Sequence, residues 1–205
     1  MSTSIKSSLL LVPLALTALV IAGCQTQPPV PTDRYYRLQA VARDGAAKPI
    51  LKENLYIATL RAEGQYAERA MLYSSPNLTR ELQQYHYQHW SEPPPVLLQE
   101  HMRASLEAMA LAPRVTTVAA GSGGGYLLNA KILRLEKISE GGSTRAVVSL
   151  HMALQKRAPV EVVLERSYGA EETVTENTQH AYVLASEAAL KKIYARFADD
   201  VKALK

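Results

Sequence analysis

Ala146-Val147-Val148-Ser149-Leu150-His151-Met152-Ala153-Leu154-Gln155 decides the fold class of this chain. Ala146, Val148, Leu150, Met152 and Leu154 share one face of an extended segment, and Ser149, His151, Ala153 and Gln155 share the other, because strand side chains alternate. This is the pattern of a half-buried antiparallel strand. Upstream, residues 126–138 read as a long strand in which Leu128, Ala130 and Ile132 alternate and Leu133 and Leu135 continue out of phase. A slip of one residue predicts a bulge near Leu133. Gly141-Gly142 makes the turn between these two strands. Val160, Val162 and Leu164 give a third, running toward Tyr168. Residues 126–168 are thus predicted to form a three-stranded antiparallel meander.

Shorter strands are expected at 34–40, 54–60, 69–74, 82–89 and 115–118. Tyr85 and Tyr87 are placed on one face of the fourth of these by the same alternation. Trp90-Ser91-Glu92-Pro93-Pro94-Pro95 stops that strand, since proline cannot donate to a ladder, and prepares a helix start. Leu97, Leu98, His101, Met102, Leu106 and Met109 then recur at helical spacing over 96–111, and Pro113 ends the run. A second helix is predicted over 178–205, with Tyr182, Leu190, Ile193, Phe197, Val201 and Leu204 on its apolar stripe. The expected architecture is a single α+β domain: a mixed, largely antiparallel β-sheet with two main helices packed on it.

The N-terminus carries a different signal. Lys6 precedes an apolar run of about 13 residues, 9–21, interrupted only by Pro13 and Thr17. A helix needs about 20 apolar residues to cross the hydrocarbon core, whereas this length suits the apolar centre of a secretory leader. The run ends in Ile21-Ala22-Gly23-Cys24, whose four positions resemble the lipobox of bacterial lipoproteins. The expectation is cleavage after residue 23, a diacylglycerol thioether on Cys24, and acyl chains of the palmitate kind anchoring the protein. Gln25 stands where an aspartate would resemble an inner-membrane retention signal, so the outer membrane is the expected destination. Residues 24–33, with Pro28, Pro29 and Pro31, read as an extended tether. The nine residues after Cys24 reach roughly 30 Å. The globular domain is expected over 34–205.

The lone cysteine leaves no disulfide framework. The formal net charge of +4 is spread along the chain without a basic block, which gives nucleic acid no electrostatic footprint. No catalytic constellation is visible. His86 and His89 are three apart on a predicted strand and point to opposite faces, so no shared metal is expected. His151 lies on the polar face of its strand, and His101 in the first helix reads as a packing residue. Gly121-Ser122-Gly123 lacks both a Gly-x-Ser-x-Gly frame and a phosphate-loop Gly-Lys. Glu171-Glu172 and Asp199-Asp200 read as solvated neighbours. The expectation is a non-enzyme without cofactor. Tyr35, Tyr36, Tyr85, Tyr87 and Trp90 form the candidate interface, because tyrosine and tryptophan join an apolar body to a polar tip.

The order of features resembles a known family. After the lipobox come Arg34-Tyr35-Tyr36-Arg37-Leu38, then Arg69-Ala70-Met71-Leu72-Tyr73-Ser74, then Tyr85-His86-Tyr87-Gln88-His89-Trp90-Ser91-Glu92-Pro93-Pro94, a helix, a meander and a long C-terminal helix. This resembles the ABC-type transport auxiliary lipoprotein family, the PqiC-like lipoproteins, over nearly the whole mature chain. His89 departs from the pattern, which has a basic residue such as arginine before the tryptophan. The resemblance implies a periplasm-facing, outer-membrane-anchored docking component of an MCE/ABC-type system that moves phospholipids or other hydrophobic molecules between membranes. Its implied partners are an MCE-domain protein, inner-membrane transporter components and outer-membrane lipid, and a homo-oligomeric ring would suit a symmetric tunnel. The competing reading is a stand-alone periplasmic module binding a lipid or small ligand, which needs no partner.

Overall fold

The computed structural model describes residues 31–40, 48–75, 80–117 and 124–204. Cys24 and the expected leader lie outside them, as do most of the expected tether, Pro76-Asn77 and Gly121-Ser122-Gly123. Eight strands and two helices are present among the described residues: β1 Arg34–Tyr36, β2 Leu55–Ile57, β3 Ala70–Ser74, β4 Gln83–Trp90, α1 Pro94–Ala108, β5 Val115–Thr117, β6 Tyr126–Glu140, β7 Ser143–Arg157, β8 Val160–Thr173 and α2 Gln179–Ala203. Among the described residues a 3-10 turn, Gly64–Ala67, lies between β2 and β3.

All eight strands form one open, mixed sheet. β6, β7 and β8 are the antiparallel meander, paired along almost their whole lengths. The β6–β7 register shifts between Ile132 and Arg134, so the bulge lies where the alternation slips. The opposite edge of β6 is shared. β2 pairs with it in parallel at Tyr126–Leu128, Arg61 bridges to Lys131, and β3 pairs in parallel at Lys137 and Ile138. β4 continues antiparallel from β3, β1 lies parallel to β4, and β5 lies parallel to β2. The first strand is shorter than expected and ends at Tyr36. Beyond it the Gln39 N–H donates to Glu187 on α2 at 2.6 Å instead of pairing with a strand.

α1 starts in the proline run. Pro94 occupies the first turn, where a missing N–H costs nothing, and the Pro93 carbonyl accepts from Val96 and Leu97. The helix ends three residues before the expected Leu111. Leu111 N–H reaches back to Leu106 O and Ala110 N–H to Glu107 O, with Ala110 at φ +51°, a Schellman-type stop made without glycine. α2 is capped by Thr178, whose hydroxyl accepts from Ala181 N–H at 3.1 Å.

Both helices contribute to one core, in which Leu97 of α1 is partly buried and Phe197 of α2 is fully buried. Phe197 meets Tyr168 of β8 edge-on at 5.9 Å, so α2 does pack on the sheet. Leu204, expected on the same stripe, is instead half exposed, as the C-cap residue just beyond the last residue of α2. A polar strap holds the flank of α2 to β8. Asp200 accepts from Tyr168 Oη at 2.7 Å and Arg166 Nη1 at 2.8 Å, Lys192 pairs with Glu172, and Arg196 donates to the Gly169 carbonyl. Burial and the Asp200 carboxylate both push the Tyr168 hydroxyl pKa up.

Where the helices meet, the His101 ring lies tilted against Tyr194 at 5.8 Å and is buried, as a packing residue would be. Burial pulls its pKa down to about 4, against a smaller raising effect from the Gln39 backbone. An unfolded histidine titrates near 6.5, so between these values the unfolded chain binds a proton that the folded chain refuses. Stability is full above about pH 6.5 and falls as pH drops toward 4, by up to about 3 kcal/mol. Urea midpoints at pH 7 and pH 4.5 check this. His101→Leu flattens the difference, and an undiminished difference in that variant assigns the acid sensitivity elsewhere.

Candidate functional site

One end of the sheet carries a cleft of about 540 Å³. Its apolar lining comes from four separate segments: Leu51, Tyr126 at the start of β6, Val162 and Val163 of β8, and Val201 and Leu204 at the end of α2. Lys52, Glu53, Lys156 and Glu161 complete it. A second recess of about 400 Å³ shares Lys52 and Glu53 and continues over Asn54, Tyr56, Pro113, Gly124 and Gly125.

Local chemistry explains how the wall is built. Leu51 N–H donates to Leu111 O at 2.7 Å and Leu55 N–H to Arg114 O at 2.9 Å, which ties residues 51–55 to the chain leaving α1. Tyr126 N–H donates to Asn54 O at 2.9 Å. Two consecutive valines face the cleft because the β7–β8 register passes from Leu154↔Leu164 to Gln155↔Val162, leaving Val163 as the extra residue of a bulge. Val160, Val162 and Leu164 carry the alternation expected for the last strand of the meander. Val160 and Val162 are in fact 73% and 53% exposed. Arg157, at the tip of the β7–β8 hairpin, lays its guanidinium 4.7 Å from the Tyr56 ring centre.

Gly125 is the position that lets the wall close. It has φ +105°, and a Cβ there would lie 2.6 Å from Asn54 O. Gly125→Ala is expected to cost about 2 kcal/mol or more, through backbone strain and a clash with a main-chain atom that cannot swing aside. Urea denaturation measures it, and a loss below half of that shows that the segment gives way.

The five aromatic residues singled out from the sequence do not gather into one patch. Tyr35 is 56% exposed; it stacks on His89 at 5.5 Å and lies beneath the Arg69 guanidinium at 5.0 Å. Arg69 in turn donates to the carbonyls of Trp90 and Ser91. Tyr36 is half-buried and its hydroxyl donates to Gln88 at 2.8 Å. Tyr85 packs on Tyr73 at 4.6 Å and on the core, while Tyr87 is exposed. Tyr85 and Tyr87 therefore do not share an environment, because the β3–β4 register shifts between Ala70 and Leu72 and alternation does not carry through β4. Trp90 is a core residue, 6.0 Å from Tyr182.

Among the described residues, no group of three or more His, Cys, Asp or Glu side chains is arranged to hold a metal ion. His89 Nε2 lies 3.6 Å from Asp33. On the face of the meander, His151 connects Ser167 through Nδ1 at 3.1 Å and Glu165 through Nε2 at 2.9 Å. Sequence reading missed this cluster, whose members converge only through strand pairing. None of the three lines the cleft. Glu136, buried on β6, accepts from Arg134 at 2.6 Å and Tyr66 at 3.4 Å, and burial with that carboxylate pushes Tyr66 up to about 12. Of the remaining carboxylates, Glu171 pairs with Arg145. No helix among the described residues is long and apolar enough to cross a membrane.

Solved structures share this fold. Protein XCC0632 from Xanthomonas campestris superposes with a TM-score of 0.70 at 19% identity, covering 83% of this chain and 95% of that one. An uncharacterized protein superposes with a TM-score of 0.66 at 15% identity, covering 83% of this chain and 99% of its own. No curated protein matches the chain in sequence. The model of one family, described as ABC-type transport auxiliary lipoprotein component, matches residues 36–198, which is most of the compact unit Asp33–Lys205, and the chain belongs to that family.

Proposed function

We propose that this protein is the outer-membrane docking component of an MCE/ABC-type system that carries phospholipids or other hydrophobic molecules across the periplasm. The family match over residues 36–198 carries the reading, since it assigns the chain an auxiliary role beside an ABC-type transporter. The lipobox ending at Cys24, with Gln25 behind it, supports the anchor and its membrane. Moving a lipid through water exposes methylenes at about 0.8 kcal/mol each, so a transport route must be shielded up to the receiving bilayer. A small domain held there by acyl chains is placed to receive the end of such a route, and several copies in a closed ring would match a symmetric tunnel. The role is non-catalytic.

The test is cross-linking in intact cells followed by purification through a C-terminal tag. An MCE-domain protein, with permease and ATPase subunits behind it, is expected among the retained chains. Cross-linked material containing none of them overturns the reading.

A further inference from the structure

We propose that the cleft at the Tyr126 end of the sheet binds an anionic amphiphile, its acyl chain on Leu51, Val162, Val163 and Leu204 and its phosphate or carboxylate head between Lys52 and Lys156. This extends the lipid-transport reading and rests on it for the source of the ligand. The case for binding stands on the geometry of the cleft.

Three observations carry it. The first is size and lining: at about 540 Å³ the cleft falls within the range of small-ligand sites, and its wall joins apolar side chains to a few charged ones. The second is exposure. Of the eight large apolar side chains left exposed among the described residues, Val162 and Leu204 line this cleft and Val160 stands two residues from Val162. Solvent-facing apolar groups gathered at the mouth of a concavity mark a contact surface, whereas scattered ones do not. The bulge at Val163 is what turns two successive valines to the same opening.

The third is charge. Lys52 and Lys156 line the cleft, Lys202 sits between Val201 and Leu204 in the last turn of α2, and Arg157 stands at the adjoining hairpin tip. Two carboxylates oppose them. Glu53 lines both this cleft and the neighbouring recess, its Oε2 lying 2.9 Å from where a Cβ at Gly124 would stand. Glu161 stands opposite Lys156 across the β7–β8 ladder. The carbonyls at the end of α2 add partial negative charge, which Lys202 offsets. The lining is balanced, two lysines against two glutamates, and Lys202 and Arg157 beside it leave the rim net positive toward an anion, with the apolar side chains beneath for an acyl chain.

The test uses the full lipidated chain in its own membrane. A photo-reactive benzophenone amino acid is placed at Val162, and for comparison at Leu184, which is 52% exposed on α2 and does not line the cleft. After irradiation and proteolysis, the peptide carrying position 162 is expected to bear adducts with the mass of a phospholipid or a fatty acid, and the mass distinguishes a phosphate head from a carboxylate. Adducts at 162 are expected to exceed those at 184 by about tenfold, the equivalent of about 1.4 kcal/mol of preference. Leu204→Asp, which makes the mouth polar at an exposed position, and the double variant Lys52→Gln with Lys156→Gln, each lower the yield severalfold while circular dichroism stays unchanged. Equal labelling at 162 and 184, or labelling that both variants leave intact, shows contact with a bilayer surface and overturns the site. A protein adduct at 162 overturns it in favour of a partner surface. Lipid adducts without a captured MCE-domain protein sink the transport reading and leave the site standing, and the reverse outcome does the opposite.

Discussion

Trp90→Ala is expected to lower the unfolding free energy by about 3–5 kcal/mol, a large share of what a domain of this size possesses. Trp90 is 1% exposed and lies 6.0 Å from Tyr182, which is fully buried on α2. Its ring therefore joins the last residue of β4 to the C-terminal helix, two elements with no other covalent or ladder connection. Truncation leaves a void bounded by side chains on both, and neither can collapse without moving a strand or a helix. The backbone at this point is also fixed, with Trp90 N–H donating to Arg69 O at 2.7 Å. Urea unfolding with unchanged slope is the measurement, and Trp90→Phe should recover part of the loss. A Trp90→Ala protein of normal stability that no longer captures partners would return the residue to the interface suggested by its sequence neighbours.

Under the proposed lipid anchor, Cys24→Ala is expected to release the protein from its membrane while leaving its fold and thermal midpoint unchanged. Without the thiol there is no thioether, hence no diacylglycerol and no second acylation. A single acyl chain gives only marginal, reversible attachment and stable anchoring takes two signals, and no helix among the described residues is long and apolar enough to replace them. Membrane fractionation of cells expressing the variant checks the location, and circular dichroism checks the fold. Finding the variant still in the outer membrane would refute the lipid anchor.

The fold could be read in outline because its long elements repeat one physical rule many times. β6 and β7 are each 15 residues, and their alternation repeats often enough to reveal even the slip at Leu133. Short strands offer too little repetition. β1 ends at Tyr36 and Leu38 lines a groove beside α1, and the Gln39 N–H bonds Glu187, 148 residues away from it, in place of a ladder. The same limit explains Tyr85 and Tyr87. Their spacing of two fixes a shared face only in a regular strand, and the register shift opposite Ala70 breaks that condition. Trp90 shares with the tyrosines an apolar body and a polar tip, but a residue at a strand's end can be turned inward by the segment that follows, and Trp90 is buried. The cleft was not legible at all. Its lining comes from positions 51, 126, 162–163 and 201–204, and the only local clue, Val160 and Val162, has the same appearance as a buried alternation.

The shared edge of β6 also fixes the order in which the molecule can be assembled. The groups β1–β4–β3 and β2–β5 each reach the rest of the sheet only through this strand. The β6–β7 hairpin closes across Gly141-Gly142, whereas pairing β2 with β6 closes a loop from Leu55 to Tyr126. Loop closure costs more as the loop lengthens, and pairings distant in sequence form late. A chain made amino end first therefore presents the β1–β4–β3 and β2–β5 groups before the strand that joins them exists. Its C-terminal half must arrive and build the meander before the first half can dock. The late half is the template, and a chain truncated ahead of Tyr126 has no scaffold on which to settle.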